Sequence, residues 1–482
     1  MDKGECILQI TNYINGQWLD PSGMECFQTI NPHSKAILEQ IGESTIDDMK
    51  AAIDAANAAS EGWKHMPSPK RGHYLIEAAK WLADHLEEIA YDLTREIGKT
   101  IGEAKGEVNR SIQTLYYYAA EGLQPIGEVI PSSNENILIY TKREPIGPVG
   151  LITPWNFPIA IPTWKLAPAL IYGNTVVLKP SEYAPKSAYY LMKALEHARI
   201  PAGVVNCVFG TQVDIGKTLV DSEKIKGISF TGSTEVGKII GVQAASKGKK
   251  VQLEMGGKNA IVVLKDANLQ KAVDSIITDA YSAAGQKCTA ASRILIEAEV
   301  YNQVKNMLKE RTEEIAIGDP HKEGTLLGPV ATEKQYDLVQ QKMENGKATM
   351  NLVIEKNIEM QEGYYIKPTI FETKDPVSEF IDQEIFGPVI TLLEINNMNE
   401  AIKEVNRSKY GLSASIFTTN LENAQRFIQH VDVGMVHINT GTVFTELQAP
   451  FGGMKDSSYG PKEQGKEAIE FYTMSKTIYQ SI

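Results

Sequence analysis

Short apolar runs alternate with segments of helical periodicity between residues 149 and 230. The runs cover residues 149–152, 175–178, 204–208 and 227–230. Apolar runs of this length, separated by helices, are typical of buried parallel strands joined by crossover helices. The alternation predicts an α/β fold in which helices cover the faces of a parallel sheet.

A second series with the same alternation follows. Its apolar runs cover residues 260–263, 293–296, 388–393, 414–417 and 435–438. The pair Gly256 and Gly257 stands between the two series, where a flexible backbone joint fits. We therefore predict two sheet domains, the first formed by residues 1–123 with 146–255 and the second by residues 256–456.

The segments 124–145 and 457–482 belong to neither series. Residues 137–141 are predicted as a strand after a turn at Pro131, and the tail beyond Phe471 is predicted as a strand that joins it. An exposed strand has an edge that needs a partner. The two segments are therefore predicted to form a small β arm, with an ordinary surface hairpin as the alternative.

The N-terminal part of the chain is predicted to be mostly helical. Residues 11–45 are predicted as short strands broken by turns, and residues 47–63 as a helix. Ser68, followed by a proline, predicts the start of a second helix. Apolar residues then recur every three or four positions, which predicts one continuous helix that ends at Gly98. A third helix is predicted for residues 102–118.

Composition excludes several kinds of partner. The chain has 482 residues and a net charge of −12, which argues against nucleic acid or an acidic membrane surface. Its cysteines, at positions 6, 26, 207 and 288, form no CxxC pair, so neither a zinc site nor a redox dithiol is predicted. So few cysteines favour a reducing cytoplasm. Residues 1–6 contain no apolar signal core, and no apolar run approaches the ~20 residues that span a bilayer. A cytoplasmic protein without a metal site is predicted.

Three motifs contain residue types that serve acyl chemistry. Cys288 lies among small and polar residues after a helical run, Glu254 precedes two glycines, and Asn156 lies between two prolines. A thiolate is a nucleophile, a carboxylate is a base, and a side-chain amide stabilises an oxyanion. Taken singly, each has a simpler alternative: a cysteine packed in the core, a solvated carboxylate and a turn-capping amide.

Two further motifs follow predicted strands. Phe230, Gly232 and Ser233 lie between a strand and a helix, where backbone N–H groups and the positive helix end bind phosphate. The sequence differs from the dinucleotide fingerprint G-x-G-x-x-G, and a turn that needs flexible glycine is the alternative. Lys179 and Glu182 follow another strand, at an edge where open α/β sheets bind ligands. An exposed ion pair is the alternative there.

These motifs occur in the order found in the aldehyde dehydrogenase superfamily. The resemblance also includes residues 15–18, 384–388 and 450–453, so it covers nearly the whole chain. It implies an aldehyde dehydrogenase-like fold, with two Rossmann-like parallel-sheet domains and a small β oligomerisation arm. It also implies a homodimer or a homotetramer.

The resemblance implies an NAD(P)-dependent oxidation of an aldehyde to the carboxylic acid. Cys288 attacks the carbonyl, the Asn156 amide and the Cys288 backbone N–H hold the oxyanion, and water activated by Glu254 hydrolyses the thioester. Lys165 matches a position near the thiol, and Glu463 matches a carboxylate of a proton relay. Relatives that pass the acyl group to coenzyme A usually lack the carboxylate of Glu254, so hydrolysis is favoured. A hydrolase that uses cysteine, glutamate and lysine without a cofactor is the alternative from another class.

The resemblance also assigns residues to the cofactor. Lys179 and Glu182 match the residues at the adenosine ribose, where a carboxylate repels a 2′-phosphate. NAD is therefore favoured, and NADP stays an alternative. The predicted cofactor residues are Ile152, Thr153, Pro154, Trp155, Lys179, Ser181, Glu182, Gly216, Phe230, Gly232, Ser233, Gly256, Glu384 and Phe386.

The aldehyde substrate is predicted from the same resemblance. Succinic semialdehyde dehydrogenases usually carry an arginine where this chain has Trp164, and the chain is most similar to the group that oxidises 2-oxoglutarate semialdehyde (2,5-dioxopentanoate). Another semialdehyde, or a broad range of aliphatic and aromatic aldehydes, is the alternative. For each of the two arginines predicted to bind substrate, Arg110 and Arg293, a structural ion pair is the alternative role. The predicted substrate residues are Arg110, Phe157, Ile161, Trp164, Arg293 and Gln448.

Overall fold

The computed structural model describes residues 10–360, 362–375 and 379–481. The prediction that residues 1–6 contain no signal core concerns a segment outside the described residues. Cys6 also lies outside them. In the described part, the helices are α1 (Ile46–His65), α2 (Ser68–Asp84), α3 (Leu86–Ile97), α4 (Ile101–Glu121), α5 (Ala160–Ile171), α6 (Pro185–His197), α7 (Val213–Asp221), α8 (Thr234–Ser246), α9 (Leu269–Tyr281), α10 (Tyr301–Glu313), α11 (Glu333–Thr349), α12 (Glu379–Asp382), α13 (Met398–Arg407), α14 (Leu421–His430) and α15 (Ile469–Tyr472), with 3₁₀ turns at Ser282–Gly285 and Lys466–Ala468.

The strands fall between these helices. They are β1 (Asn12–Ile14), β2 (Gln17–Leu19), β3 (Cys26–Ile30), β4 (Ile37–Gly42), β5 (Val129–Ile130), β6 (Ile137–Pro145), β7 (Val149–Ile152), β8 (Val176–Lys179), β9 (Val205–Cys207), β10 (Gly227–Thr231), β11 (Lys250–Glu254), β12 (Asn259–Val263), β13 (Ala291–Glu297), β14 (Asn351–Glu355), β15 (Thr369–Thr373), β16 (Val389–Ile395), β17 (Tyr410–Gly411), β18 (Ser413–Phe417), β19 (Met435–Ile438), β20 (Met454–Lys455), β21 (Ser458–Tyr459) and β22 (Thr473–Ser481).

The first large sheet has the strand order β2-β1-β9-β8-β7-β10-β11-β21. Its central strands β9, β8, β7, β10 and β11 are parallel. Successive side chains of a strand point to opposite faces. Val176 and Leu178 accordingly pack with apolar residues of helices α2 to α6, while Val177 packs with apolar residues of α1, α7 and α8. The predicted α/β architecture of this part is confirmed.

The second large sheet has the order β14-β15-β16-β13-β12-β18-β19 and is parallel except for β14. Apolar residues of α9 and α10 cover one face, and those of α13 and α14 cover the other. The predicted domain boundaries stay a proposal. The strands support it with one difference: β21, predicted as part of the arm, pairs with β11 of the first sheet.

A smaller sheet joins two distant segments of the chain. Strand β22 of the tail pairs antiparallel with β6 over its full length, from Thr473 opposite Pro145 to Ser481 opposite Ile137. Strand β5 lies on the other side of β6. The prediction that the tail joins the strand near residue 140 is confirmed.

The predicted continuous helix from Ser68 to Gly98 is wrong, because the structure has two helices there. The chain leaves helical geometry at His85, whose φ and ψ are −109° and 13°. The His85 ring stacks on Trp81 at 3.9 Å and its Nδ1 lies 2.8 Å from the Trp81 carbonyl oxygen. Both helices bury their apolar side chains in the same core, so the apolar periodicity continues across the break. The predicted end at Gly98, with φ of 76°, is confirmed.

Among residues 10–360, 362–375 and 379–481, no helix is both long and apolar enough to cross a membrane.

Candidate active site

The loop that carries Cys288 begins with a left-handed turn. Ala283, Ala284 and Gly285 have φ values of 50°, 53° and 71°. Such consecutive values are unusual, because a Cβ atom in this conformation crowds the following carbonyl oxygen. A Cβ on Gly285 would lie 2.3 Å from the Gly387 carbonyl oxygen, so this position requires glycine. The turn follows helix α9 directly and redirects the chain toward the cavity that Cys288 lines.

The Gln286 side chain holds this loop in place. Its Nε2 donates to the Ala283 carbonyl oxygen at 3.1 Å, and its Oε1 accepts a hydrogen bond from the Ala331 N–H at 2.9 Å. The Gln286 carbonyl oxygen accepts a hydrogen bond from Asn156 Nδ2 at 3.0 Å. This bond uses one of the two amide hydrogens of Asn156, and the other remains for an oxyanion. The predicted oxyanion donor therefore touches the nucleophile loop two residues before Cys288.

Helix α4 supports the same loop through Glu103. Glu103 Oε1 accepts a hydrogen bond from the Ala283 N–H at 2.6 Å. Its Oε2 accepts hydrogen bonds from the backbone N–H and the hydroxyl of Thr100, which forms a capping box at the start of the helix. The pattern Thr-x-x-Glu is a recognisable helix-start signal that the sequence analysis missed.

A buried ion pair joins helix α4 to the Asn156 turn. Lys99 Nζ pairs with Glu107 Oε2, and their side chains are only 3% and 1% exposed. Lys99 also donates to the Asn156 carbonyl oxygen at 3.0 Å. Glu107 Oε1 accepts hydrogen bonds from the Ile159 and Ala160 N–H groups, at 3.0 and 3.1 Å, where helix α5 begins. The pair therefore positions Asn156 and the start of α5 together.

Replacing Glu107 by glutamine is expected to lower the free energy of unfolding by about 3–5 kcal/mol, because it leaves the Lys99 ammonium buried without a counter-charge. Denaturant unfolding followed by tryptophan fluorescence measures this loss. Glu87→Gln is the matched control, since the 2.7 Å ion pair of Glu87 with Lys105 is largely exposed. A loss below about 1 kcal/mol is expected for the control. Equal losses in the two variants would contradict the structural role of the buried pair.

Glu254 ends strand β11 and is 3% exposed. Its Oε2 accepts a hydrogen bond from Ser458 Oγ at 2.6 Å. A Cβ on Gly452, whose φ is +144°, would lie 2.5 Å from Glu254 Oε1, so the close approach of the backbone requires glycine. Burial raises the pKa of Glu254 well above its usual range, and the negative charge of Glu463 raises it further, while Ser458 and Lys165 act in the opposite direction. The sequence analysis missed Ser458, which is far from Glu254 in the chain.

Glu463 is bound to two residues of helix α5. Its Oε1 accepts a hydrogen bond from Lys165 Nζ, and its Oε2 accepts one from Trp164 Nε1 at 2.8 Å. Lys165 Nζ also donates to Ser229 Oγ at 2.8 Å. Lys165 is 1% exposed and is not among the residues that line the cavity. It therefore acts on the site through Glu463 and through its positive charge near Glu254.

Cys288 and Glu254 line the same cavity, which has a volume of about 930 Å³. The predicted substrate residues that also line it are Arg110, Phe157, Ile161 and Trp164. Phe444 and Phe451 contribute further aromatic surface that the sequence analysis did not assign to the site. Residues from all parts of the chain thus meet around one space large enough for a small organic molecule.

The thiol of Cys288 is a weak acid in this environment. Burial raises the pKa of the Cys288 thiol, and the carboxylates of Glu384, Glu254 and Glu463 raise it further. The protonated thiol is therefore the resting form near neutral pH. Attack on a carbonyl needs a base that removes this proton.

Two predicted substrate residues lie outside the cavity, which corrects the prediction. Arg293 is 2% exposed, and its guanidinium donates to the carbonyl oxygens of Lys258 and Glu404 at distances of 2.8–3.1 Å. The N–H groups of its guanidinium are therefore bound to backbone carbonyl oxygens instead of facing the cavity. Gln448 is exposed and is not among the residues that line the cavity.

The predicted cofactor residues gather at the carboxyl edge of the first sheet. The register pairs Ile152 with both Lys179 and Phe230, so the ends of β7, β8 and β10 lie side by side. The chain runs from β7 outward to β9 and then returns to β10 on the other side of β7, and open α/β sheets bind ligands at such a switch point. The predicted residues that follow these strands are Thr153, Pro154 and Trp155 after β7, Ser181 and Glu182 after β8, Gly232 and Ser233 after β10, and Gly256 after β11.

The start of helix α8 lies at this edge. Ser233 is its N-cap residue, and the Gly232 N–H donates to the Glu254 carbonyl oxygen at 3.1 Å. The buried hydroxyl oxygens of Thr153 and Thr231 have no hydrogen-bond partner among the described residues. Polar atoms and a positive helix end are therefore available here to a polar ligand.

The adjoining surface contains the predicted ribose residues. Lys179 Nζ lies 3.6 Å from Glu182 Oε2, and Ser181 Oγ accepts a hydrogen bond from the Tyr183 N–H at 3.3 Å. Gly216 lies on helix α7, and apart from its chain neighbours and the backbone of that helix no described atom lies within 4 Å of a Cβ placed on it. The surface between these residues is therefore open to a ligand.

Glu384 and Phe386 contact residues that follow strands β11 and β7. Glu384 Oε1 accepts a hydrogen bond from the Gly257 N–H at 3.0 Å, and a Cβ on Gly256 would lie 2.5 Å from Glu384 Oε2. Burial raises the pKa of Glu384 to about 7. Phe386 has φ of 58°, and its ring packs edge-on against Trp155 with centroids 5.6 Å apart. The structure thus brings predicted residues of both domains together.

Comparison with known proteins identifies the family. The model of the Aldehyde dehydrogenase family matches residues 18–478. The chain is 44% identical over 474 residues to alpha-ketoglutaric semialdehyde dehydrogenase of Bacillus subtilis. The aligned residues cover 97% of each chain. It is 41% identical over 469 residues to 2,5-dioxopentanoate dehydrogenase of Saccharolobus solfataricus. The aligned residues cover 96% of this chain and 98% of that protein.

Solved structures agree with the family assignment. An aldehyde dehydrogenase variant from Bacillus cereus has a TM-score of 0.95 and 33% identity, over 99% of this chain and 97% of that one. Betaine aldehyde dehydrogenase from Staphylococcus aureus, in complex with NAD+, has a TM-score of 0.94 and 31% identity, over 98% of this chain and 95% of that one. This chain therefore belongs to the aldehyde dehydrogenase family, and it is an oxidoreductase of that family. The alternative of a cofactor-independent hydrolase is set aside.

Proposed function

We propose that this chain oxidises 2-oxoglutarate semialdehyde (2,5-dioxopentanoate) to the free acid with NAD. The observation that carries the proposal is that Cys288 and Glu254 line one cavity together with Arg110. Two relatives with identities of 44% and 41% have names that refer to this semialdehyde.

The chemistry begins at Cys288. The thiol proton passes to water in the cavity, and the sulfur bonds to the aldehyde carbon while the carbonyl oxygen becomes an oxyanion. The free amide hydrogen of Asn156 and the Cys288 backbone N–H donate to that oxyanion. Bound NAD would accept the hydrogen and the electron pair of the aldehyde carbon, which leaves a thioester on Cys288.

Hydrolysis of the thioester needs an activated water. Glu254 shares the cavity with Cys288, and its raised pKa makes its carboxylate a stronger base than an exposed one. The carboxylate takes a proton from water, the water oxygen bonds to the acyl carbon, and the sulfur leaves. Glu463 positions the water-activating side of the cavity through its hydrogen bond with Trp164, and Lys165 contributes through its bond with Glu463 and its charge near Glu254.

The carboxyl edge of the first sheet fits NAD. The N-terminus of α8 with Ser233 suits the pyrophosphate, and the unpartnered Thr153 and Thr231 hydroxyls offer polar contacts nearby. Lys179 and Glu182 suit the two ribose hydroxyls of adenosine, and the Glu182 carboxylate would repel a 2′-phosphate. NAD is therefore proposed as the preferred cofactor over NADP.

The guanidinium of Arg110 supports an anionic aldehyde. Arg110 lines the cavity, and no carboxylate forms an ion pair with it in the part of the chain that the structure describes. An arginine is suited to a carboxylate, which it binds in a bidentate manner, and Arg110 lines the same cavity as the apolar side chains named below. Phe157, Ile161 and Trp164 are proposed to line the path of the carbon chain.

Assembly and location complete the proposal. Val129, Leu138, Met474 and Tyr479 expose apolar surface on the small sheet of β5, β6 and β22. Such surface and the free edge strands suit pairing with another copy, so we propose a homodimer or homotetramer. The low cysteine content supports a cytoplasmic location.

An aldehyde panel tests the substrate and the cofactor. The rate of NADH or NADPH formation is measured with 2-oxoglutarate semialdehyde, succinic semialdehyde, an aliphatic aldehyde and an aromatic aldehyde. We expect kcat/KM to be highest for 2-oxoglutarate semialdehyde with NAD, and at least about tenfold lower for uncharged aldehydes, which cannot pair with Arg110. Higher kcat/KM for an uncharged aldehyde would contradict the proposed substrate, and higher kcat/KM with NADP would contradict the proposed cofactor.

A further inference from the structure

The guanidinium of Arg110 is held in a defined orientation at the cavity wall. Its Nη1 donates to the Thr445 carbonyl oxygen at 3.3 Å, and its Nη2 donates to Gln464 Oε1 at 3.1 Å. Two of the five N–H groups of an arginine are used by these bonds, and the others remain for a ligand. Thr445 belongs to a loop that also lines the cavity, whereas Gln464 comes from the C-terminal segment behind it.

Gln464 is buried in an uncommon conformation. It is 2% exposed and has φ of +60°, which is rare for a residue with a Cβ atom. Because a guanidinium can only donate, the carbonyl oxygen of the Gln464 side chain must face Arg110. Its Nε2 then has no hydrogen-bond partner among the described residues. A strained residue with an unpartnered buried amide is costly for stability, so a functional reason for it is expected.

The neighbours of Gln464 prevent it from moving away. Glu463 is bound to Trp164 and Lys165, as described above. On the other side, the Gly465 N–H donates to the Leu447 carbonyl oxygen at 3.1 Å. The Gly465 carbonyl oxygen accepts a hydrogen bond from Tyr118 at 3.3 Å. The Gln464 oxygen is therefore a rigid acceptor, and it restricts the rotation of Arg110.

We infer that Gln464 is a positioning residue that aims the Arg110 guanidinium at the carboxylate of an anionic aldehyde. The inference rests on the proposed function, since it assumes a substrate with a carboxylate. An amide suits this task because it accepts a hydrogen bond without a negative charge. A carboxylate at the same position would neutralise Arg110, and an aliphatic side chain would leave it free to rotate.

The test compares Gln464→Leu and Gln464→Glu with the unmodified protein. KM and kcat are measured with 2-oxoglutarate semialdehyde and succinic semialdehyde, and with pentanal as an uncharged aldehyde. We expect Gln464→Leu to raise KM for the preferred anionic aldehyde about tenfold, with kcat and the pentanal kcat/KM changed less than about twofold. Gln464→Glu is expected to raise that KM further, because the new carboxylate competes with the substrate for Arg110.

Gln448→Leu is the matched control, since Gln448 is an exposed glutamine outside the cavity, and it is expected to leave KM unchanged. Thermal unfolding checks that each variant is folded, and Gln464→Asn, whose shorter side chain cannot reach Arg110, replaces Gln464→Leu if that variant does not fold. Equal losses for charged and uncharged aldehydes, or no loss at all, would overturn the inference.

The outcome separates this inference from the proposed function. If the unmodified protein prefers succinic semialdehyde and Gln464→Leu raises KM for the anionic aldehydes but not for pentanal, the proposed substrate is wrong and the inference stands. If the unmodified protein prefers 2-oxoglutarate semialdehyde and the variants lose activity uniformly, the substrate stands and the inference is wrong.

Discussion

Replacing Cys288 by alanine is expected to lower the rate of NADH formation by about 10⁴-fold or more, while NAD binding is retained. In the proposed mechanism the sulfur forms the covalent bond to the substrate, so the reaction cannot begin without it. Absorbance of NADH with 2-oxoglutarate semialdehyde measures the loss. Titration of intrinsic fluorescence with NAD measures binding, because the proposed cofactor site is the carboxyl edge of the first sheet and does not need the thiol.

Cys207→Ala is the matched control for Cys288→Ala. Cys207 is also a free cysteine, but it is fully buried in the core of the first domain and does not line the cavity. Its replacement is expected to cost about 1 kcal/mol of stability through a small cavity and to leave kcat unchanged. Substantial NADH formation by Cys288→Ala would show that another group is the nucleophile.

Replacing Glu254 by glutamine is expected to separate the two halves of the reaction. The first half needs Cys288 and NAD, so a burst of NADH near one per active site is expected. The second half needs a base at the cavity wall, so the steady-state rate after the burst is expected to fall by about 10²- to 10⁴-fold. Rapid-mixing measurement of NADH absorbance gives both quantities in one experiment.

The control for Glu254→Gln is a second buried carboxyl group far from the cavity. Glu96 is 2% exposed and accepts hydrogen bonds from the Lys186 and Ser187 N–H groups at the start of helix α6. Burial raises the pKa of Glu96 to about 8, and glutamine at this position keeps one oxygen that accepts one of the two N–H bonds. Glu96→Gln is expected to turn over continuously. Continuous turnover at an unchanged rate by Glu254→Gln would show that another residue activates the water.

The α/β architecture was predictable because its signal is local. A buried parallel strand such as β7 or β12 is apolar on both faces, so a short apolar run marks it without knowledge of its neighbours. The same local signal failed at His85, where the chain breaks between α2 and α3. Both helices use the same core, and apolar periodicity does not report a backbone break that a stacked side chain stabilises.

Side-chain roles were less predictable than elements. Arg110 and Arg293 were both predicted to contact the substrate, and nothing in the local sequence distinguishes them. The structure shows one at the cavity wall and the other bound to backbone carbonyl groups inside the second domain. The number of carbonyl groups within reach of a guanidinium depends on how distant segments pack, and a linear pattern does not contain that information.

The sequence by itself determined the order of the strands and helices, the residue types at positions 156, 254 and 288, and the family to which the chain belongs. Only the tertiary structure decided which partners surround those residues. Ser458 reaches Glu254, Glu463 binds Trp164, and Gln464 orients Arg110 across hundreds of residues of chain. The physical reason is that periodicity and capping act over one or two turns, whereas hydrogen bonds at the cavity join whichever groups the packed domains bring within about 3 Å.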